Sequence, residues 1–246
     1  MKALITGASS GIGRDFARIL AERGYELILV ARDEEKLQEL QKELKTNTKI
    51  ISMDLSNVEN CKRLHTENPD IDLLINNAGF GDCGNFTHTS LDKEISMINT
   101  NIVAYHILTK LYLIDMKKVN KGHILNVASI AGFMPGPLMS TYYATKSYIV
   151  RLSEGIREEL NKEKSSVKIS ILCPGPVKTN FNKVANVKFS LKEKNSYYVA
   201  KYALNHLNKF YIVPGLDIKF ARLGAKLFPS NLIAKITYIV QKKKLQ

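Results

Sequence analysis

The sequence predicts an α/β fold, a doubly wound parallel sheet with helices on both faces, in a single domain over residues 1–246. Two observations support this. Apolar runs of strand length alternate with segments of helical periodicity, and a glycine-rich turn follows the first run. Continuous apolar strands linked by helices are typical of parallel sheets buried on both faces. The chain has 246 residues, enough for one sizeable core, and it shows no repeat or linker.

The strands and helices can be assigned in chain order. Short apolar runs between turn-forming residues predict strands at 2–5, 27–30, 49–53, 73–75, 124–127 and 167–172. Segments with one apolar face predict helices at 12–23, 33–44, 57–66, 91–117 and 141–161. In the first helix Ile12, Phe16 and Ile19 share a face, and Gly24 provides a stop.

The composition changes near Phe181. Residues 181–246 carry 13 Lys or Arg against 2 Asp or Glu, a net charge of +11 within the chain's total of +13. We interpret 181–215 as a substrate lid followed by the last-strand region, and 216–246 as a basic amphipathic extension. The lid contains Lys183, Lys188, Lys192 and Lys194. These lysines could attract an acyl carrier or a coenzyme A phosphate, or they could simply be solvated.

The extension contains one strongly amphipathic segment. Ser230 can cap a helix in which several apolar residues fall near one side, namely Leu232, Ile233, Ile236, Ile239 and Val240. Lys235 and the lysines at 242–244 carry its charge. The pattern predicts a helix that docks on its own domain or on a second subunit. The alternative is peripheral contact with an anionic membrane surface.

The turn after the first strand predicts a dinucleotide site. Its residues are Gly7, Ser9, Ser10, Gly11, Ile12 and Gly13. Glycine permits positive φ and lets the backbone approach a pyrophosphate, while the N-terminus of the following helix offers free N–H groups to that anion.

The end of the second strand predicts NADP rather than NAD. An acidic residue there would bind ribose hydroxyls, but this chain has Arg32, followed by Asp33. A guanidinium can pair with the 2′-phosphate of NADP, and Arg14 could add to that contact. The alternative is that Arg32 merely begins a helix capped by Asp33. Asp54 and Leu55, after the third strand, are placed to meet the adenine.

Ser129, Tyr142 and Lys146 have the spacing of a proton-transfer site. Tyr142 and Lys146 lie one helical turn apart. A tyrosine has an ordinary pKa of about 10, and a neighbouring lysine ammonium is expected to lower that pKa. The Ser129 hydroxyl could hold a substrate oxygen beside the phenol. Tyr143 is a rival phenol, but Ser147 stands four residues beyond it, so the pairing selects Tyr142.

With these motifs the chain resembles the short-chain dehydrogenase/reductase family over about residues 1–180. The glycine turn, the Asn76–Gly79 segment, Asn101, the Ser129–Tyr142–Lys146 set and the 174–179 segment match the family's motifs in order. The resemblance implies a Rossmann-type fold and catalysis by Asn101, Ser129, Tyr142 and Lys146. It also implies cofactor contacts from Asn77, Ala78, Gly79, Tyr142, Lys146, Pro174, Gly175, Val177 and Thr179.

The resemblance further implies how these residues act. Tyr142 would exchange a proton with the substrate oxygen, Ser129 would orient that oxygen, and Asn101 would hold a water that links Lys146 to solvent. The substrate pocket would be formed by Phe80, Phe133, Met134, Pro135, Met139 and Phe181. These apolar residues favour an NADP-dependent oxidoreductase for apolar ketones or aldehydes.

Two other functions are compatible with a dinucleotide-binding fold. One is a 3-oxoacyl-carrier reductase, and the other is a non-catalytic dinucleotide-binding regulator. The chain's ending differs from that of the family's 3-oxoacyl reductases, and the intact tetrad argues against a regulator. Family members usually pair through the helices that hold Asn101 and Tyr142, so a homodimer or homotetramer is expected.

Composition argues against several other classes of protein. The 3 cysteines and 5 histidines lack ligand spacing, so no metal is expected. No nucleic-acid recognition motif accompanies the basic tail. No apolar stretch reaches the roughly 18 residues of a membrane span, and we expect a cytoplasmic protein.

Overall fold

The structure is a computed structural model that describes residues 1–181, 185 and 193–243. Lys183, Lys188 and Lys192 of the predicted lid lie outside the described residues, as does Lys244. Nine strands are described: β1 Lys2–Thr6, β2 Glu26–Ala31, β3 Thr48–Ser52, β4 Leu73–Asn76, β5 His123–Val127, β6 Lys168–Leu172, β7 Val177–Lys178, β8 Lys194–Asn195 and β9 Tyr211–Ile212. The described helices are α1 Gly11–Glu22, α2 Glu34–Glu43, α3 Val58–Thr66, α4 Leu91–Ile98, α5 Ala104–Lys118, α6 Ser140–Lys162, α7 Ser196–Asn205, α8 Leu216–Leu227 and α9 Ser230–Lys242.

The main sheet is parallel and has the order β3-β2-β1-β4-β5-β6-β9. The predicted doubly wound α/β fold is therefore confirmed. All six predicted strands are present, and the last-strand region adds β9 at the edge of the sheet beside β6. The strand order reverses between β1 and β4, which is where sheets of this kind bind ligands beyond their carboxyl ends. A short parallel pair, β7 and β8, stands apart from the main sheet.

Helices cover both faces of the sheet because each face of the buried strands is apolar. On one face, Phe16 and Leu20 of α1 and Val199 and Ala203 of α7 join a single apolar cluster. On the other face, Leu108 and Tyr112 of α5 pack with Leu64 of α3 and Leu160 of α6. This two-sided burial explains why the strands read as continuous apolar runs in the sequence.

The predicted helix at 91–117 is interrupted. A turn of π-helix at Asn99–Val103 separates α4 from α5, and Asn101 lies within it, fully buried. Turns of this kind insert an extra residue into a helix and are frequent at functional sites. The side chain of Asn101 makes several hydrogen bonds from this turn, and they are described below.

The C-terminal extension docks on the domain, through a face that shares Ile233 with the predicted apolar face but also contains polar side chains. The buried side chains of α9 are Ile233, Thr237 and Gln241. Thr237 Oγ1 donates to the carbonyl of Pro135 at 2.8 Å, and Gln241 Nε2 donates to the Tyr143 hydroxyl. Polar groups on the domain thus select the docked face. Within the described residues, no helix combines the length and apolar character needed to cross a bilayer.

Candidate active site

A cleft of about 530 Å³ opens at the carboxyl ends of the strands, where β1 and β4 diverge. Most of the residues predicted to bind the cofactor line it: Gly7, Ser9, Ser10, Gly11, Ile12, Arg32, Asp54, Leu55, Asn77, Ala78, Gly79, Pro174, Gly175, Val177 and Thr179. Ser129, Tyr142 and Lys146 line the same cleft. The glycine turn and the proton-transfer residues, which are far apart in sequence, therefore face one continuous space.

The glycine turn depends on its glycines for conformation and for space. Gly7 and Gly11 have φ of +67° and +54°, which is left-handed backbone that side chains disfavour. Gly13 does not line the cleft. A Cβ there would lie 2.2 Å from the carbonyl oxygen of Gly7, so Gly13 allows α1 to pack beneath the turn. The turn presents the N-terminus of α1 to the cleft, as an anion-binding site requires.

The end of β4 holds this turn in place. Asn77 Nδ2 donates to the carbonyl oxygens of Thr6 at 2.9 Å and Gly7 at 3.2 Å. The Thr6 hydroxyl in turn accepts hydrogen bonds from the backbone N–H groups of Asn77 and Ala78. Asn77 therefore acts as a brace between neighbouring strands, beside the floor of the cleft.

Arg32 and Asp33 differ in what they contact. Arg32 is exposed and lines the cleft, and among the described residues its guanidinium has no ion-pair partner. Asp33 caps α2, accepting from the backbone N–H of Lys36 at 3.1 Å, and its carboxylate also pairs with the Lys36 ammonium. Those bonds hold the pKa of Asp33 below its usual value. Asp33 is thus the predicted N-cap, while Arg32 remains available. Arg14 is exposed on α1 and does not line the cleft.

Ser129 and Tyr142 come together from different elements. Ser129 follows β5, is 9% exposed, and accepts a hydrogen bond from the backbone N–H of Ala131 at 3.2 Å. Tyr142 lies in the first turn of α6. Burial raises the pKa of Tyr142 to about 12, and the neighbouring Ser129 hydroxyl opposes that rise. The phenol is therefore protonated at neutral pH, and it stands beside a second hydroxyl inside the cleft.

The expectation that Lys146 lowers the pKa of Tyr142 is wrong for this structure. The Lys146 ammonium is buried, lies 5.9 Å from the centre of the Tyr142 ring, and donates to the carbonyl oxygen of Val127 at 3.0 Å. Burial is the largest influence on both groups: it raises the pKa of Tyr142 and lowers the pKa of Lys146 to about 8.

Asn101 stands behind the cleft instead of lining it. Its Nδ2 donates to the carbonyl of Phe80 at 2.9 Å and to Thr145 Oγ1 at 3.1 Å, and its Oδ1 accepts from the N–H of Phe80. The side chain thereby ties the loop after β4 to α6, one residue from Lys146. Its predicted role in holding a water stays a prediction.

The apolar end of the cleft differs in part from the prediction. Phe80, Met134, Met139 and Phe181 line it, and the rings of Phe181 and Tyr142 are 5.3 Å apart. Phe133 and Pro135 do not line it, because both attach the C-terminal helices. Phe133 faces the guanidinium of Arg222 on α8, and the carbonyl of Pro135 accepts the bond from Thr237.

Sequence reasoning missed the part of the wall that α8 and α9 supply. Ile218 and Ala221 of α8 line the cleft together with Ile236, Thr237, Val240 and Gln241 of α9. The amphipathic pattern indicated that α9 would dock, but it did not indicate where. The docking position depends on polar contacts with Pro135 and Tyr143, which leave no signal in the sequence.

The cleft has no feature of a metal site in the part of the chain that the structure describes. There, no group of three or more His, Cys, Asp and Glu side chains is arranged to hold an ion.

Comparisons with known proteins agree with this site. The model of the family described as "short chain dehydrogenase" matches residues 1–188. An uncharacterized oxidoreductase of Staphylococcus epidermidis is 33% identical over 181 residues, which are 72% of this chain and 78% of that protein. A very-long-chain 3-oxoacyl-CoA reductase of Anas platyrhynchos is also 33% identical, over 210 residues that cover 79% of this chain and 65% of that longer protein.

Solved structures share the architecture along nearly the whole chain. A short-chain dehydrogenase of Sphingobium yanoikuyae in complex with NADPH has a TM-score of 0.81 and 28% identity, covering 92% of this chain and 94% of its own. One from Burkholderia phymatum in complex with NAD has a TM-score of 0.83 and 26% identity, with 92% of each chain covered. This chain therefore belongs to the short-chain dehydrogenase/reductase family and is an oxidoreductase that acts on alcohol or ketone substrates.

Proposed function

We propose that the protein is an NADP-dependent reductase that transfers a hydride between the nicotinamide and an apolar ketone or aldehyde. The observation that carries this proposal is the single cleft that joins the glycine turn, the Ser129–Tyr142 hydroxyl pair and an apolar end. One half of the cleft suits a dinucleotide and the other half suits an apolar carbonyl compound.

The residues present fit a nicotinamide dinucleotide. A Cβ at Gly7 would lie 2.8 Å from Ala78 Cα, and one at Gly11 would lie 2.8 Å from Thr179 Cγ2. The turn thus leaves a space that a side chain at either glycine would occupy. The N-terminus of α1 borders this space and would face the pyrophosphate. Asp54 and Leu55 would flank the adenine, while Val177 and Thr179 would hold the carboxamide. When bound, the cofactor supplies or accepts the hydride.

The preference for NADP rests on the contrast between Arg32 and Asp33. An unpaired guanidinium at the cleft wall offers charge-assisted hydrogen bonds to a 2′-phosphate. Asp33, the acidic residue that follows Arg32, is already bonded to the first turn of α2 and to the Lys36 ammonium. The two solved relatives described above bind NADPH and NAD respectively, so they do not distinguish the two cofactors. The preference for NADP therefore rests on this chain's own residues.

Tyr142 is the proton donor in the proposed reduction. Because burial raises its pKa to about 12, the phenol carries its proton at neutral pH and can pass it to the substrate oxygen. Ser129, whose hydroxyl opposes the rise in the Tyr142 pKa, is placed to orient and polarise the same oxygen. Lys146, held by Val127, would contact the nicotinamide ribose and the phenolate that forms after transfer.

The substrate class follows from the apolar end of the cleft. Phe80, Met134, Met139 and Phe181 surround the space next to Tyr142, and Ile218 and Val240 extend it. Burial of an apolar substrate there contributes about 25 cal/mol for each Å² removed from water. An apolar ketone or aldehyde is therefore preferred over a charged one.

A 3-oxoacyl thioester is the second candidate. It is favoured by the 33% identity to a very-long-chain 3-oxoacyl-CoA reductase. The apolar cleft could take the acyl chain, and the exposed lysines of the C-terminal helices could attract the carrier's phosphates. A substrate panel that includes both 3-oxoacyl thioesters and simple apolar ketones separates the two candidates.

For the assembly we propose a homodimer or homotetramer that pairs through α4, α5 and α6. Exposed apolar side chains on these helices support it, including Leu91 at 70%, Ile95 at 48% and Ile114 at 42% exposure. Such side chains are common at subunit contacts. Sedimentation velocity would reveal the assembly.

The first test of function is Tyr142→Phe. We expect kcat for ketone reduction with NADPH to fall by about 100-fold or more, because the acid that donates the proton is removed. NADPH binding, measured by fluorescence titration, should change little. Tyr148→Phe is the matched control, since Tyr148 lies on the same helix, its hydroxyl bonds to His106, and it does not line the cleft. Retention of most of the turnover by Tyr142→Phe would contradict the proposed mechanism.

The second test addresses the cofactor. Arg32→Asp should weaken NADPH binding by about 10- to 100-fold, because a charge-assisted contact with the 2′-phosphate is lost. It should also improve use of NADH. Arg14→Asp makes the same charge change at an exposed position that does not line the cleft, and it should leave the NADPH Kd nearly unchanged. Equal effects of the two variants would reject Arg32 as the phosphate contact.

A further inference from the structure

The two C-terminal helices expose an unusual amount of apolar surface. Eighteen large apolar side chains are exposed in the described residues, and nine of them lie between Leu216 and Ile239. We call these nine the C-terminal apolar surface: Leu216, Phe220, Leu223, Leu227, Phe228, Leu232, Ile236, Tyr238 and Ile239. Concentration in one short segment distinguishes this surface from the scattered apolar residues that any soluble protein shows.

Helical spacing gathers these residues on the outer sides of α8 and α9. Leu216, Phe220, Leu223 and Leu227 recur at intervals that share one face of α8, with exposures of 69%, 70%, 51% and 68%. Leu232, Ile236 and Ile239 do the same on α9. The opposite sides of the helices are already used, because Ile218 and Ile233 are buried against the domain.

Basic residues surround this surface. Between 216 and 243 the chain has Lys219, Arg222, Lys226, Lys235, Lys242 and Lys243 but only one acidic residue, Asp217. Asp217 is paired with Lys194 at 2.7 Å, and Arg222 stacks on Tyr211. Within the described ranges none of the five lysines on α8, α9 and the following turn is paired with a carboxylate. The surface therefore combines exposed apolar side chains with uncompensated positive charge.

We propose that the C-terminal apolar surface docks on an anionic lipid bilayer. Apolar side chains that enter the headgroup region and a lysine rim that attracts anionic lipids are the two contributions such binding needs. A second copy of this chain is a poorer occupant. Symmetric pairing through this surface would bring the same lysines together, with no acidic side chain between 218 and 243 to offset them.

The location of the C-terminal apolar surface next to the cleft also indicates the class of substrate. Ile236 is 49% exposed and lines the cleft as well, so the apolar surface and the mouth of the cleft meet at α9. A protein docked in this way would present its cleft to the lipid phase. The substrate class narrows to ketones or aldehydes that partition into bilayers, an extension that rests on the proposed carbonyl reduction.

Vesicle flotation of the full-length protein tests the docking. We expect flotation with phosphatidylcholine vesicles that contain phosphatidylglycerol, and about tenfold less with pure phosphatidylcholine or at high salt. Phe220→Asp/Leu227→Asp should abolish flotation. The control Phe86→Asp/Val119→Asp makes the same charge change at side chains that are 63% and 71% exposed elsewhere, and it should float like the wild type.

Three results would overturn the proposal. One is that the wild type stays in the soluble fraction with every vesicle composition, with or without phosphatidylglycerol. Another is equal loss of flotation in both double variants. The third is a dimer in solution that Phe220→Asp/Leu227→Asp dissociates, which would assign the surface to a second copy.

Turnover measurements distinguish a failure of the docking proposal from a failure of the proposed reductase activity. Phe220→Asp/Leu227→Asp should reduce a water-soluble ketone at the wild-type rate, because neither side chain lines the cleft. It should lose most of its rate, by about tenfold, on a long-chain ketone carried in anionic vesicles. If no ketone is reduced by any form, the proposed function fails while flotation still decides the docking. If both ketones are reduced equally by wild type and variant, delivery from lipid is wrong.

Discussion

Lys146 is a buried ammonium group whose hydrogen-bond acceptor is a single backbone carbonyl. Its side chain is 4% exposed, its Nζ donates to Val127 at 3.0 Å, and the Tyr105 ring lies 5.4 Å away. These contacts compensate only in part for the loss of water, so burial lowers the pKa of Lys146 to about 8. Under the proposed function Lys146 would contact the cofactor, and its burial carries a stability cost in the protein without cofactor.

The first prediction is that Lys146→Met stabilises the cofactor-free protein while abolishing turnover. Methionine has similar length and no charge, and the Val127 carbonyl keeps its hydrogen bond from Tyr105. We expect the Tm near neutral pH to rise by roughly 2 to 8 °C. Lys162→Met, at an exposed position on the same helix, should change the Tm much less.

The pH dependence of this difference has a definite sign. The folded pKa of Lys146 is about 8 and its ordinary value is 10.5, so between them the unfolded chain binds more protons. The wild type therefore gains stability as the pH rises through that window, and the variant lacks this gain. The advantage of Lys146→Met should be greatest below about pH 8 and should shrink toward pH 10.5. A difference in unfolding free energy that is constant across the window would contradict this explanation.

Sequence alone identified Ser129, Tyr142 and Lys146 but misjudged their electrostatics. Spacing placed the tyrosine and lysine on one helix face, and the structure confirms that both line the cleft. The direction of the Tyr142 pKa shift depends on how much water the packed cleft removes, which spacing does not contain. Residue types and intervals can therefore predict which groups meet, while their pKa values require the surrounding tertiary packing.

At the scale of elements, periodicity predicted the sheet and most helices because each buried strand is apolar and each helix has one apolar face. Periodicity did not predict the features whose positions depend on polar contacts between distant parts of the chain. The π-helical turn at Asn99–Val103 positions Asn101 among hydrogen bonds to Phe80 and Thr145 that connect distant parts of the chain. Likewise α9 docks through Thr237 and Gln241 as well as Ile233, although the predicted face contained apolar residues alone.

The strands β7 and β8 were not predicted because they are too short to show a hydrophobic pattern. Each has two residues, and within the described ranges they pair with each other and not with the main sheet. Short strands of this kind have no apolar period of their own. Their pairing places Val177 in the cleft wall, so a functionally relevant element came from long-range geometry.

At the scale of the whole molecule, α9 belongs to two surfaces at once. Its inner side closes the apolar end of the cleft through Ile236, Thr237, Val240 and Gln241, and its outer side joins the C-terminal apolar surface. Gln241 Oε1 is buried without a hydrogen-bond partner in the described structure. An unsatisfied buried oxygen weakens the docking of the helix, since its lost hydration is not replaced.

The last prediction concerns this marginal docking. Thr237→Ala/Gln241→Ala removes the bonds to Pro135 and Tyr143, so α9 should leave the cleft more often and uncover its apolar end. A bulky apolar ketone should then show a KM about tenfold higher, because its contacts with Ile236 and Val240 are lost. A small aldehyde bound next to Tyr142 should keep its kcat and KM within about twofold, since Ser129, Tyr142 and Lys146 are untouched.

Hydrogen exchange distinguishes opening of the helix from a simple loss of side-chain contacts. Amides of α9 should exchange faster in Thr237→Ala/Gln241→Ala, while those of α5 and α6 keep their protection. Tyr238→Ala provides the control, because its side chain is 43% exposed on the outer side of the same helix. It should leave both the exchange rates and the KM unchanged. If the double variant raises the KM for bulky and small substrates alike, the effect comes from disturbance of the catalytic residues, and α9 does not act as a wall for the larger substrate.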